Sequence, residues 1–251
     1  MHKRFFTALL ALTLLPALSG AANAQSLTAD QIIEKHLAAI GGREALTKLT
    51  SLKATGTFSV DTPMGALGGP LEMLAKAPNK VRTTVRIDVS AVGGPGEMVQ
   101  EQIFDGTNGW TLNSLQGDQA MSGDELESAK NDFFPTALLK YKDMGVKVEL
   151  KPAEDVSGKK AHVLTFTPKS GPAETMYFDQ ETFMLVRSRS TVNSAQMGSI
   201  EQISDPSDYR TVDGVKVAFQ LAQAGGGQSI MIKLTKVEHN VAIDDAVFIK
   251  K

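Results

Sequence analysis

The chain has 251 residues, with 26 lysines and arginines against 28 aspartates and glutamates, and no cysteine. That near-neutral balance excludes a protein built to neutralise nucleic-acid phosphates. The missing thiols exclude disulfide frameworks, thiolate metal sites, cysteine nucleophiles and a lipid-modified N-terminal cysteine, and four histidines supply zinc chemistry poorly.

Lys3 and Arg4 open the chain, Phe5 to Leu18 is a short apolar stretch interrupted by Pro16, and Ala22-Asn23-Ala24 has the small-x-small pattern of a signal peptidase site. The stretch is too short to serve comfortably as a stop-transfer helix. The expectation is a cleaved signal peptide over 1–24 and one exported, soluble domain over 25–251.

The next segment reads as a helix. Thr28 and Gln31 form a T-x-x-Q capping box, Leu27 can staple onto Ile32, and Ile32, Ile33, His36, Leu37 and Ile40 fall on one face before Gly41-Gly42 stops the run. His36 reads as a packed or rim residue rather than a ligand. Arg43 to Leu49 is a shorter helical turn.

From about Ser51 the hydrophobic period changes from 3.6 to 2. Ala54, Gly56, Phe58 and Val60 alternate with polar neighbours, and Val81, Thr83, Val85, Ile87 and Val89 do so more clearly. Further strands are expected at 71–76, 97–104 and 109–113. The links are rich in turn residues: Pro63 to Pro70 with three glycines, Gly93-Gly94-Pro95-Gly96, and Asp105-Gly106. Such spacings favour antiparallel hairpins over βαβ units.

Helical signals return with Ser122 and Glu125 as an S-x-x-E capping box, followed by Leu126, Ala129 and Phe133. Pro135 breaks that run and opens a second expected helix, 136–144, ended by Gly145. Strands are then expected at 146–151, 160–167, 174–179, 183–191, 198–203, 214–222 and 228–238. The order is helix, about five strands, two helices, then six or seven strands. It reads as mainly β with helices (α+β): one curled antiparallel sheet or half-open β-barrel, with the helices over its mouth or concave face.

Chemistry finds little support. No G-x-S-x-G elbow, Walker loop or H-E-x-x-H is present, and the glycine clusters do not lie between a strand and a helix. His36, His162 and His239 are widely spaced, and His162, beside Leu164 and Phe166, reads as structural. Glu154-Asp155 and Asp244-Asp245 are sequence neighbours that point apart in a strand. No catalytic residue, metal site or cofactor is expected. A hydrolase using carboxylates brought together by the fold is the least favoured alternative.

Several segments carry a resemblance. They are Tyr177-Phe178-Asp179-Gln180-Glu181-Thr182 with Leu185-Val186-Arg187, then Asp208-Tyr209-Arg210-Thr211-Val212-Asp213-Gly214-Val215-Lys216-Val217, and the run from Val237 to Phe248. Gly41-Gly42 and Leu52-Lys53-Ala54-Thr55-Gly56 fit as well. Together they resemble the outer-membrane lipoprotein-sorting proteins, the LolA-like periplasmic carriers, over most of residues 25–251. The resemblance implies a half-open barrel, lidded by helices, whose concave face holds acyl chains. The location it implies is the periplasm, without a lipid anchor.

A carrier of this kind hides acyl chains from water at ~0.8 kcal/mol per methylene, roughly 13 kcal/mol for a chain of about 16 carbons. Methionines suit an adaptable cavity, and Met73, Met98, Met176, Met184 and Met231 fall in expected strands. The candidate cavity or lid residues are Phe58, Met73, Val85, Ile87, Phe133, Phe134, Leu138 and Met231. The expected partners are a lipid or lipidated protein cargo and a membrane-associated donor or acceptor protein, with no nucleic acid, and the chain is expected to be a monomer. The alternative is a non-enzymatic envelope sensory or interaction module on the same fold.

Overall fold

The computed structural model describes residues 27–62, 65–194 and 198–251, so the expected signal peptide lies outside the described residues. Helix α1 (Ala29–Ala39) begins at Thr28, where both capping-box bonds form. The Gln31 N–H donates to Thr28 Oγ1 at 3.2 Å, and the Thr28 N–H donates to Gln31 Oε1 at 2.9 Å. Helix α2 (Arg43–Thr47) follows the Gly41-Gly42 stop.

Six strands come next: β1 (Ser51–Thr62), β2 (Gly65–Lys76), β3 (Lys80–Asp88), β4 (Glu97–Phe104), β5 (Gly109–Asn113) and the two-residue β6 (Gln119–Ala120). Helix α3 (Gly123–Asn131) separates them from β7 (Lys147–Val156), β8 (Lys159–Thr167), β9 (Glu174–Asp179), β10 (Leu185–Ser194), β11 (Gly198–Val212), β12 (Val215–Gly225) and β13 (Gln228–His239). All thirteen described strands join one open antiparallel sheet in the order β6-β5-β4-β3-β2-β1-β13-β12-β11-β10-β9-β8-β7. The first and last halves of the chain therefore meet at the β1–β13 pairing.

Three local expectations change. The glycine-rich stretch from Gly65 is strand rather than loop, because its glycines admit close backbone approach. A Cβ on Gly69 would lie 1.9 Å from the Arg86 carbonyl oxygen, and one on Gly68 2.5 Å from that of Phe58. Ser122 caps α3 by position only, without a side-chain bond, while Glu125 is engaged by Thr111 instead. The expected helix at 136–144 shrinks to a 3-10 turn, Ala137–Leu139, whose first residues are held by the Thr136 hydroxyl accepting from the Leu138 N–H.

The sheet is strongly curled, and α3 measures the curl. At one side Glu125 accepts a hydrogen bond from Thr111 on β5 at 3.3 Å; at the other, Asn131 donates to the Ser170 carbonyl at 2.8 Å, and α3 packs against β10. Nine helical residues span only about 14 Å. Eight strand spacings, the flat distance from β5 to β10, would span roughly 38 Å. The two walls must therefore bend toward each other, with α3 bridging them over the concave face.

Helix α1 fills the lower end of that face. Ile32, Ile33 and Leu37 are fully buried against Leu164, Phe178 and Val215, with Leu138 and Tyr141 closing the same core. On the convex side the C-terminal segment covers β3 and β4. Arg82 Nη1 donates to the Val247 carbonyl at 2.9 Å, and Lys76 and Lys80 both reach Asp245. Phe248 and Ile103 are buried there. No helix of the described residues is long and apolar enough to cross a membrane.

Candidate functional site

Strand register fixes which side chains share the concave face. Phe58 lies opposite Ile232 on one side and Gly69 on the other, Leu71 opposite Val85, and Ile87 opposite Met98. These residues, with Met73 and Leu234, form one apolar floor. Leu71, Val85 and Ile87 are buried, while Phe58, Met73 and Ile232 are half-buried. Four of the candidate residues, Phe58, Met73, Val85 and Ile87, thus stand together.

The other four stand elsewhere. Leu138 is buried in the helix core and Phe134 packs against it, with its N–H on the Pro78 carbonyl at 2.8 Å. Phe133 is half-buried next to them, with the Lys140 ammonium 5.8 Å from its ring centre. Met231 is a correction. It pairs with Ser59 and Ala222, on the face opposite Phe58 and Ile232, and lines a convex-side groove of about 200 Å³ with Asp61, Ile203 and Asp205. The period of 2 makes the reason simple: Ile232, one residue on, is the inward side chain. Of the remaining methionines, Met98 joins the floor, and Met176 and Met184 join the helix core.

The walls flanking the floor are polar. Gln100, Gln102, Thr111 and Asn113 occupy the inward register of β4 and β5. Across the trough, Ser188, Ser190, Gln202, Ser204 and Gln223 occupy that of β10 to β12. A second groove, about 180 Å³, lies between Gln202, Ser204, Gln223 and Ile230. Each groove is smaller than the roughly 300–1,000 Å³ of a small-molecule site, so a long acyl chain would have to part the floor side chains. The alternation of β1 and β3 announced the floor, but nothing in the periodicity of β4 and β5 told which of their two faces turns inward.

Two carboxylates sit at the rim. Asp132, the C-cap residue of α3, keeps surface exposed to solvent, while desolvation of its carboxyl pushes its pKa up. Glu174, on the inward register of β9 opposite Phe166, is also pushed up by burial, with a bond from Ser188 opposing and the nearby Asp132 charge adding to the rise. His36 is buried on α1 with Nδ1 2.8 Å from the Phe183 carbonyl oxygen, and burial holds its pKa below the usual value. The carbonyl can only accept, so Nδ1 carries the proton in the neutral ring. His162 stacks on Phe183, so both histidines act as packing groups around one turn. Among the described residues no group of three or more His, Cys, Asp or Glu is placed to hold a metal ion.

The sequence matches no family model and no curated protein. Solved structures do match. A LolA superfamily protein from Nitrosomonas europaea superposes with a TM-score of 0.57 at 14% identity, covering 90% of this chain and 99% of that one. A protein described as an outer membrane lipoprotein-sorting domain, from Vibrio parahaemolyticus, gives 0.55 at 11% identity, covering 87% and 95%. A DUF1329 family protein from Desulfovibrio piger gives 0.55 at 13% identity, covering 86% and 95%. At these identities the likeness establishes the fold: the chain has a LolA-like half-open barrel.

Proposed function

We propose that this protein is a periplasmic carrier that holds a lipid, or the acyl chains of a lipoprotein, on its concave face, without catalysis or a cofactor. The observation that carries the reading is the apolar floor of Phe58, Met73, Ile232 and their neighbours, left half-buried while the inward cluster around Leu164 and Phe178 is sealed by helices. The LolA-like fold supports it, as does the signal-peptide pattern of residues 1–24. A cargo chain lying on the floor replaces contacts that Leu71, Val85 and Ile87 now make with one another, so binding and widening of the trough are one event.

The polar contacts of α3 suit such widening. The helix buries none of its residues, and its ties to the rims include the Thr111–Glu125 bond and the Asn131 and Glu127 bonds to Ser170. Each of these bonds is worth about 0.5–1.5 kcal/mol net, so α3 is a weakly held bridge compared with the sheet it spans. The proposed partners are the cargo and a membrane-associated protein that donates or accepts it, and the proposed working state is a monomer of residues 25–251.

The test uses adjacent residues on opposite faces. Ile232→Asn should abolish binding of a fluorescent fatty-acyl probe, whereas Met231→Asn should leave it unchanged. Equal binding by both folded variants would defeat the concave-face assignment. The small grooves favour a second reading, an envelope sensor whose packed interior serves only protein contacts; that reading requires that the unaltered protein take up no probe at all.

A further inference from the structure

We infer that the ligand is an amphiphile with an uncharged, hydroxyl-bearing headgroup, its chain on the floor and its headgroup between the two polar walls beneath α3. This rests on the carrier reading and goes further, to the chemistry of the cargo.

The first argument is an inversion within the sheet. On β1 to β3 the apolar residues face the trough. On β5 and in the middle of β4 they face away, although Met98 and Phe104 at the two ends of β4 face inward: Ile103 pairs with Trp110 and Glu101 with Leu112 on the convex side, where the C-terminal segment docks. Between Met98 and Phe104, the inward register of the same strands is Gln100 and Gln102 on β4, beside Asn113 and Thr111 on β5. The amides of Gln100 and Gln102 have no hydrogen-bonding protein partner among the described residues. A hydrocarbon chain pressed on them would strip their water and return nothing. A headgroup with several hydroxyls would replace that water bond for bond. Across the trough, the Gln223 amide meets the Ser204 hydroxyl at 3.2 Å, which leaves further donors and acceptors open to the same space.

The second argument is charge. The inward positions of β1 to β5 and β9 to β13 carry no lysine or arginine except Arg210, which lies 4.4 Å over the Phe219 ring near the helix-capped end and is tied to Asp208. Lys130 on α3 is already paired with Glu127. The charges that do face the trough are carboxylates, Glu125 at Thr111 and Glu174 at Ser188, with Asp132 beside Glu174. A phosphate or carboxylate headgroup would meet like charge and no cation. The walls themselves are amides and hydroxyls, which both donate and accept and so match hydroxyls better than an ammonium, which only donates.

The experiment compares three probes with one twelve-carbon chain: dodecyl glucoside, dodecyl phosphate and dodecylamine, each titrated calorimetrically below its micelle threshold against the full-length mature protein. The expected result is binding of the glucoside at least tenfold tighter than of the other two. The double variant Gln100→Leu/Gln102→Leu should lose that preference while still binding the chain. Equal affinity for all three, or a preference for the phosphate or the amine, would overturn the headgroup assignment and leave the carrier reading standing. Binding of none would defeat the carrier reading itself.

Discussion

Two apolar clusters of the concave face, the helix-capped core and the floor, use the same kinds of side chain and differ in closure. At the helix-capped end Ile32, Ile33, Leu37, Leu164 and Phe178 are all 0% exposed. On the floor, Phe58, Met73 and Ile232 keep part of their surface open, and the helical contribution to the cluster they form is Val92 of the 3-10 turn Ser90–Val92. The difference teaches that hydrophobicity alone does not mark a binding surface. What marks it is apolar area that the chain could have covered and did not.

That contrast can be broken most forcefully through stability. Phe178→Ala should cost about 3–5 kcal/mol, the range for emptying a packed aromatic site, read as a fall in the urea midpoint with an unchanged slope. Phe58→Ala, at a site already open to water, should cost less than half as much. Equal losses would mean that the floor is a second core and not a site.

A smaller effect is expected from His36. Its folded-state pKa lies below its unfolded value because burial disfavours the imidazolium. As pH falls through the unfolded value near 6.5, the unfolded chain binds a proton that the folded one refuses, so stability drops until the lower folded value is passed. Burial lowers His162 in the same direction. Urea titrations between pH 8 and pH 5 should show the decline, and His36→Gln should flatten most of it. A pH-independent midpoint in the unaltered protein would contradict this packing role.

The smallest effect belongs to the surface of the helix-capped end. The bidentate Arg43–Glu34 pair, with about half of each side chain exposed, should contribute only about 0–1 kcal/mol. Arg43→Gln should therefore shift the thermal midpoint by no more than a few degrees, and a larger shift would mean that the Arg43 bond to the Leu139 carbonyl anchors the 132–146 segment.

Much of this architecture could be read from the residues. The Thr28/Gln31 capping box forms as written, and strands at 97–104, 109–113 and 174–179 have the expected bounds. The floor side of β1 and β3 follows from their alternation, because each has one wholly polar face. What escaped reading depended on contacts distant in sequence. The face that β4 and β5 turn outward continues the face of β3 on which the C-terminal segment docks through Arg82 and Val247, more than a hundred residues away in sequence. Met231 was displaced by a single register step, since both it and Ile232 are apolar. Ser122 kept the capping sequence but lost its partner to Thr111 on β5, a tertiary bond that no local pattern announces.

The central claim, that the open floor exists to hold a lipid chain, is tested most directly by native mass spectrometry of the mature protein recovered from its own cell envelope, with organic extraction of what accompanies it. The account predicts one amphiphile per chain, displaced by dodecyl glucoside and missing from the Ile232→Asn variant. A ligand-free mass, from protein that also refuses every acyl probe, would contradict it.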